Sequence, residues 1–379
     1  MRSTGWRLVL LAAALAACGD GEGNGGQGLD DEGQAPVVGC SDGTLDGALT
    51  RVCFPADWNG GLVLYAHGYV EPGAPLAIPQ NLVGAIPLED VINGLGYAYA
   101  ATSYQANGLV ADIAVEDIVA LEDEVRRTVR PDPTRVYLVG VSEGGLVAAL
   151  AAEREADRYT GVLAACGPIG SFVRQIDYFN DVRIVFDYLF PGVIPGSAIE
   201  PPESVRSAWE TVYAPAVLAA LEADPGRAAE LVAVTGIPVA GADATLLNES
   251  IAGILWYNVL GTADAQQRLG GQPYDNADRV YAGSADDAAL NAGVARYEAE
   301  AVARAALDRF ETSGLPLVPI SIIHTTGDPI VPFFHQPLYA DKVATAGAAE
   351  LLDQAQVERF GHCTFTPNEL LDAFGALPQ

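Results

Sequence analysis

Ser142 has the strongest claim to chemistry. It stands in Gly140-Val141-Ser142-Glu143-Gly144, with an apolar run from Arg135 to Gly140 before it and helix-forming residues from Leu146 to Arg154 after it. Glycines two positions to either side suit a serine held on a tight strand-to-helix turn, where side chains would collide and the helix start favours developing negative charge. The alternative for such a segment is a glycine turn with a surface serine. A hydroxyl near neutral pH is a poor nucleophile until a histidine takes its proton and an acid orients that histidine. The chain has 4 histidines. His362, in Phe360-Gly361-His362-Cys363, follows the last short apolar run and is the candidate base. His67 precedes Gly68 at the end of an early strand and suits an oxyanion region, whereas His324 and His335 read as packed or surface side chains. The candidate acid is Asp328: in His324-Thr325-Thr326-Gly327-Asp328-Pro329 a strand ends, a glycine turns the chain and the aspartate follows. A plain Asp-Pro turn is the alternative there. The chain order Ser142, Asp328, His362 belongs to one architecture and differs from the two protease orders.

These residues need elements to bring them together. Leu62–His67, Ala98–Ser103, Arg135–Gly140, Gly161–Ala165, Val318–His324 and Val357–Phe360 read as short strands, most of them apolar throughout, as strands buried on both faces are. Ile113–Val129 and Gly144–Arg154 carry apolar residues at helical spacing, and a last helix is expected over Asn368–Phe374 with Thr366 as its N-cap. This alternation predicts an α/β fold with a mainly parallel central sheet flanked by helices. From Ile169 to Pro316 the rhythm breaks: no parallel strand is evident, and Ile176–Phe190, Ser204–Leu221 and Ala288–Phe310 read as amphipathic. A long helical insertion between two sheet strands is expected to form a lid or cap.

Tyr65-Ala66-His67-Gly68-Tyr69, the segment from Gly96 to Tyr104, the serine turn, Gly327 to Pro332 and Gly361-His362 together resemble the α/β-hydrolase superfamily. The resemblance runs from about Leu62 to the C-terminus, the insertion excepted. It implies an α/β-hydrolase core at 37–168 and 317–379, with a large helical cap at 169–316 placed before the acid-bearing strand. It also implies an oxyanion hole made by the backbone N–H groups of Glu143 and Tyr69, and two-step acyl transfer by Ser142, His362 and Asp328. No organic cofactor is required, and with no H-E-x-x-H and no C-x-x-C nothing points to a metal. The activity implied is that of a carboxylic-ester hydrolase acting on a small-molecule or polymeric ester. A serine peptidase resembling the prolyl-oligopeptidase group is the alternative, since that group tolerates a second glycine such as Gly145, although the short stretch before Leu62 leaves no room for an amino-terminal propeller. An inert surface-binding protein on a hydrolase scaffold is a third reading.

Composition narrows the field. At 379 residues, 50% hydrophobic and 18% charged, the chain can bury one large core with a cap, which excludes disorder throughout. With 20 basic and 49 acidic residues the net charge is −29, so nucleic acid is not an expected partner. Lys342 is the only lysine, which excludes a P-loop and Schiff-base chemistry elsewhere in the chain. Gly21, Gly23 and Gly26 fit a dinucleotide fingerprint but have no strand before them. At the N-terminus, Arg2 and Arg7 precede an apolar run from Leu8 to Ala17 that is too short to span a bilayer. Leu15-Ala16-Ala17-Cys18 resembles the bacterial lipobox, which implies a signal peptide at 1–17, a lipid on Cys18, and an exported protein held to a membrane in the periplasm or at the cell surface. An ordinary signal peptide is the alternative. Residues 18–36, glycine-rich and acidic, read as a tether. Cys40, Cys53, Cys166 and Cys363 then remain for two disulfides. Of the three pairings, Cys40–Cys53 is favoured because Ser41–Thr50 can turn back on itself. Cys166–Cys363 is favoured because both are expected at the carboxyl edge of the sheet, on neighbouring parallel strands.

Overall fold

The computed structural model describes residues 35–379 apart from Ala156. The signal peptide expected at 1–17, the lipidation expected at Cys18 and most of the tether expected at 18–36 lie outside the described residues. Within them the strands are β1 (Gly39–Leu45), β2 (Ala48–Phe54), β3 (Gly61–Ala66), the short pair β4 (Leu82–Val83) and β5 (Ile86–Pro87), β6 (Ala98–Thr102), β7 (Arg135–Val141), β8 (Gly161–Ala165), β9 (Ile320–Gly327) and β10 (Leu352–Phe360). An 8-stranded sheet has the order β1-β2-β6-β3-β7-β8-β9-β10. It is parallel from β6 to β10, and β1 and β2 join it antiparallel. The chain passes from β3 to β6 on one side and then to β7 on the other, so a crevice opens at the carboxyl ends of β3 and β7. β3, β6 and β8 are buried at every residue. Their unbroken apolar runs are the consequence of helices covering both faces.

The helices are α1 (Leu88–Gly94), α2 (Ala111–Thr128), α3 (Glu143–Arg154), α4 (Phe172–Leu189), α5 (Glu203–Arg206), α6 (Ala214–Ala223), α7 (Pro225–Thr235), α8 (Ala244–Leu269), α9 (Asp287–Gly293), α10 (Ala301–Ala306), α11 (His335–Ala346) and α12 (Pro367–Gly375). One face of the sheet packs on α2 and α3 through Ile118, Leu121, Leu146 and Leu150, and the other packs on α1 and α12 through Ile92, Ala373 and Phe374. Thr366 caps α12 in a reciprocal box with Glu369, with Pro367 in the first turn. Between β8 and β9 the described residues hold α4 to α10 and no strand. These helices enclose an apolar core of their own, including Val182, Phe186, Trp209, Leu231, Ile251 and Leu255.

Several elements depart from the sequence reading. The turn-back between Cys40 and Cys53 was expected, but its two strands, β1 and β2, were not, because β1 is polar and exposed. The hairpin forms on an Asp46-Gly47 turn with both residues at positive φ, 49° and 93°. β10 begins at Leu352, well before Val357, and alternates for most of its length between half-buried and exposed positions, as a half-solvated edge strand does. The stretch Ala288–Phe310 forms two short helices and a 3₁₀ turn instead of one helix, and Ser204–Leu221 is broken by a π-turn at Trp209–Tyr213. α8, a 26-residue helix, lies within the expected helical insertion but corresponds to none of the amphipathic stretches read there. Its Ile251 and Leu255 face the insertion's core while Tyr257 and Gly261 line a cavity, so no single apolar stripe marks it. No helix among the described residues is long and apolar enough to cross a membrane.

Candidate active site

Ser142 lies between β7 and α3 with φ 60° and ψ −124°, a conformation that non-glycine residues seldom adopt. The glycines around it are imposed by contact. A methyl on Gly140 would lie 1.8 Å from the Gly144 carbonyl oxygen, and one on Gly144 would lie 2.0 Å from that of Ala66. Ser142 N–H donates to Ala165 O at 2.9 Å, tying the turn to the end of β8. Glu143 is the first residue of α3, so its N–H has no intrahelical acceptor.

His362 follows β10 and reaches back over this turn. Its Nε2 is 2.8 Å from Ser142 Oγ and its Nδ1 is 2.7 Å from Asp328 Oδ2. A carboxylate only accepts, so Nδ1 carries the proton and Nε2 is left to accept from the serine hydroxyl. Asp328 is fully buried, and its other oxygen accepts the N–H groups of Ile330 and Val331, both at 2.9 Å. The structure thus brings Ser142, His362 and Asp328 into one hydrogen-bonded line. The other histidines have partners elsewhere. His67 donates from Nδ1 to Gly68 O at 2.7 Å and stacks on Tyr104. His324 donates from Nε2 to Val331 O at 2.8 Å, and its Nε2 is also 3.6 Å from Asp328 Oδ2. His335 Nδ1 accepts from Gly170 and Ser171 N–H while Nε2 donates to Gln175. Burial lowers the pKa of all three, most strongly that of His335.

Two disulfides are present, Cys40–Cys53 and Cys166–Cys363. In the first, the two cysteines are directly opposed in the β1–β2 register. The second corrects one expectation: its cysteines follow β8 and β10, which are not neighbours, because β9 lies between them. Cys166 N–H donates to Ile323 O on that middle strand, and the bridge crosses its end. Cys363 Sγ lies 3.4 Å from His362 Nε2, so the bridge anchors the histidine loop directly. Cys166, Cys363 and His362 place potential ligand atoms within 4.8 Å of one another, but both sulfurs are consumed in the disulfide and neither is a thiolate.

Ser142 opens into a cavity of about 850 Å³, its mouth included, roofed by α4 and α8. Leu109, Phe172, Ile176, Phe179, Tyr257, Ile330 and Val331 give it apolar walls, and the Phe179 and Tyr257 rings stack at 5.0 Å. The polar side chains in its lining mostly bond back into the protein. Gln175 bonds Ile330 O and His335, Asn258 bonds Asn180 and Ala198 O, and Gln272 bonds Tyr274 O. Two residues beside Ser142 stand out. Tyr69 has a buried hydroxyl with no hydrogen-bond partner, and it follows Gly68, where an added methyl would lie 3.1 Å from Ser142 Cβ. Glu143 accepts Val110 N–H at 3.1 Å, and burial raises its carboxyl pKa to about 8. Sequence reasoning assigned no role to the Glu143 side chain, although an acid inside an otherwise apolar and glycine-rich turn was a visible signal. It had no signal for the α8 residues.

A mainly parallel sheet with helices on both faces, and a serine, a histidine and an aspartate meeting at its carboxyl edge, define the α/β-hydrolase fold. Comparison with known proteins agrees at that level. The chain is similar to feruloyl esterase B from Aspergillus oryzae, with a TM-score of 0.51 and 14% identity over 85% of this chain and 73% of that one. At that identity the likeness shows the fold. Acylaminoacyl peptidase from Pyrococcus horikoshii is similar at a TM-score of 0.43 and 10% identity, over 86% of this chain and 37% of that one. In sequence, a segment of 116 residues is 30% identical to a protein named "Putative esterase NocK" from Nocardia uniformis subsp. tsuyamanensis, covering 27% of this chain. The chain spans about a third of that relative's length, 34%. No protein-family model matches the chain.

Proposed function

We propose that the protein is a carboxylic-ester hydrolase working through Ser142, His362 and Asp328. The observation that carries this reading is the hydrogen-bonded line from Asp328 through His362 to Ser142 Oγ, ending at an apolar cavity. His362 Nε2 takes the serine proton as Oγ attacks the ester carbonyl, while Asp328 holds the imidazole in its Nδ1–H tautomer and stabilises the imidazolium that forms. The backbone N–H groups of Glu143 and Tyr69 receive the developing oxyanion, each donor of this kind contributing about 10²–10³ in rate. His362 returns the proton to the departing alcohol, and water repeats the sequence to release the acid.

The helical insertion 169–316 serves as a cap that selects the acyl group. Its Phe179 and Tyr257 present flat aromatic surfaces, and among the described residues no Lys or Arg lines the cavity to hold a peptide carboxylate. The reading therefore favours an apolar or bulky ester, small or polymeric, over a peptide. Export and lipid anchoring at Cys18 complete it, supported by the N-terminal sequence and by two disulfides suited to an oxidising compartment. The test is a rate panel of nitrophenyl esters of rising chain length beside aminoacyl anilides. Esters are expected to turn over faster, and faster anilide cleavage would replace this reading with the peptidase one.

A further inference from the structure

The segment from Tyr104 to Val110 braces the loop that carries Tyr69. Tyr104 hydroxyl donates to His67 O at 3.2 Å, Gly108 N–H donates to Val70 O at 2.9 Å, and Asn107 Nδ2 donates to Ala74 O at 2.7 Å. Tyr69 therefore sits between two clamped carbonyls, those of His67 and Val70. The brace is in turn held from the cap. Asp264 on α8 accepts Leu109 N–H through Oδ2 at 2.8 Å, and its Oδ1 is fixed by Arg268 Nε at 2.8 Å. Arg268 also donates to Asn107 O at 2.7 Å. On the far side, Val110 N–H is held by Glu143, next to the nucleophile.

Gly108 shows how closely the cap carboxylate is built in. It has φ +95°, and a methyl there would lie 2.3 Å from Asp264 Oδ2. Only glycine both adopts that backbone conformation without strain and leaves the space the carboxylate occupies. A run of hydrogen bonds thus leads from the Asp264 and Arg268 side chains of α8, through Asn107, Gly108 and Leu109, to the Val70 carbonyl on one side of Tyr69, while the Tyr104 hydroxyl holds the His67 carbonyl on the other.

Resting on the reading above, we propose that Asp264 is a positioning residue for the oxyanion hole: by fixing the 107–110 segment it sets the place of the Tyr69 N–H donor, so that the cap acts on the chemical step as well as on substrate choice. Asp264 touches no reacting atom. It acts through Leu109 and the Gly108–Val70 bond. A displacement of about 1 Å at a reacting geometry costs on the order of 10²-fold, and loss of a whole oxyanion donor costs about 10²–10³. The loss expected on releasing the brace is about 10–100-fold in kcat.

The experiment compares wild type with Asp264→Ala and Asp264→Asn on a short and a long nitrophenyl ester, and measures inhibition by an alkyl boronic acid whose serine adduct places an oxygen in the oxyanion hole. Asp264→Ala is expected to lower kcat about 10–100-fold with KM within about twofold for both esters, and to weaken the boronate by the same factor as kcat/KM. Asp264→Asn, whose amide oxygen still accepts Leu109 N–H while its NH2 gives up the Arg268 Nε bond, is expected to keep the same split at a smaller loss than Asp264→Ala. If Asp264→Ala does not fold, Arg268→Gln, which frees Asp264 and Asn107 O together, is expected to show the same split at smaller size. Unchanged kcat, or a raised KM with boronate affinity intact, would reduce the contact to cap docking and overturn the proposal. A wild-type protein that turns over no ester would instead overturn the hydrolase reading, and this proposal with it.

Discussion

Replacing Glu143 by glutamine removes a buried ionisable group while keeping an oxygen able to accept Val110 N–H. Its carboxyl has an ordinary pKa of 4.5, and in the folded protein burial raises this to about 8, with the Asp264 charge acting the same way and the Val110 and Arg268 contacts opposing. Below pH 4.5 the group is protonated in both folded and unfolded chains and contributes no pH dependence. Between 4.5 and about 8 the unfolded chain releases its proton while the folded one keeps it, so the native state binds more protons and stability falls as pH rises. At about 1.4 kcal/mol for each pH unit, the wild type should lose on the order of 5 kcal/mol relative to Glu143→Gln across that window. Denaturant unfolding of both proteins from pH 4 to 9 measures the difference, in which the other raised carboxyls, Asp181 and Asp187, cancel. A second readout is catalytic: ionised Glu143 places negative charge beside the oxyanion, so kcat/KM should fall on an alkaline limb near pH 8 that the glutamine variant lacks. Parallel stability curves for the two proteins, with an unchanged alkaline limb, would refute the reasoning.

Ser142→Ala and His362→Ala should each abolish turnover to a similar degree, without adding in the double variant, because members of such a triad act as a unit; differing losses that multiply would separate their roles. Tyr69→Phe removes a buried hydroxyl that has no partner, so stability by denaturant unfolding should hold or rise by about 1 kcal/mol, and a clear loss would mean the hydroxyl has a structural bond. Phe179→Ala should raise KM more for long or aromatic nitrophenyl esters than for acetate, and equal effects on both would remove α4 from acyl selection. Reducing Cys166–Cys363, which closes a loop of 197 residues, should lower activity at denaturant concentrations that leave the fold intact, before any loss of stability approaching about 5 kcal/mol is seen in unfolding.

What the sequence made legible follows from burial. β3, β6, β7 and β8 announce themselves because helices on both faces require continuous apolar runs, and the Ser142 turn because close backbone contact at Gly140 and Gly144 admits no side chain. Once those strands are placed, Asp328 and His362 fall at the same sheet edge. The exposed elements carry weaker signals. β1 and most of β10 present polar residues to solvent and read as loops. α8 was hidden for the opposite reason, since its central turns, 251–261, are buried or half-buried all round between the insertion's core and the cavity and so show no polar face to give them a period. The hydrogen bonds from Asp264 and Arg268 to the backbone at 107–109 depend on tertiary approach alone, and no local pattern encodes them. Strand order was likewise out of reach: that β9 separates Cys166 from Cys363 is a property of the sheet, not of either cysteine's neighbourhood.

The central claim is that Ser142 is a nucleophile activated by His362. Its most direct test is intact-mass and peptide analysis of the full chain after treatment with a fluorophosphonate, which forms a stable adduct only with an activated serine. One adduct per chain is expected, on the peptide containing Ser142, absent in Ser142→Ala and formed far more slowly in His362→Ala. No adduct on the folded wild type, or an adduct on any other residue, would contradict the account.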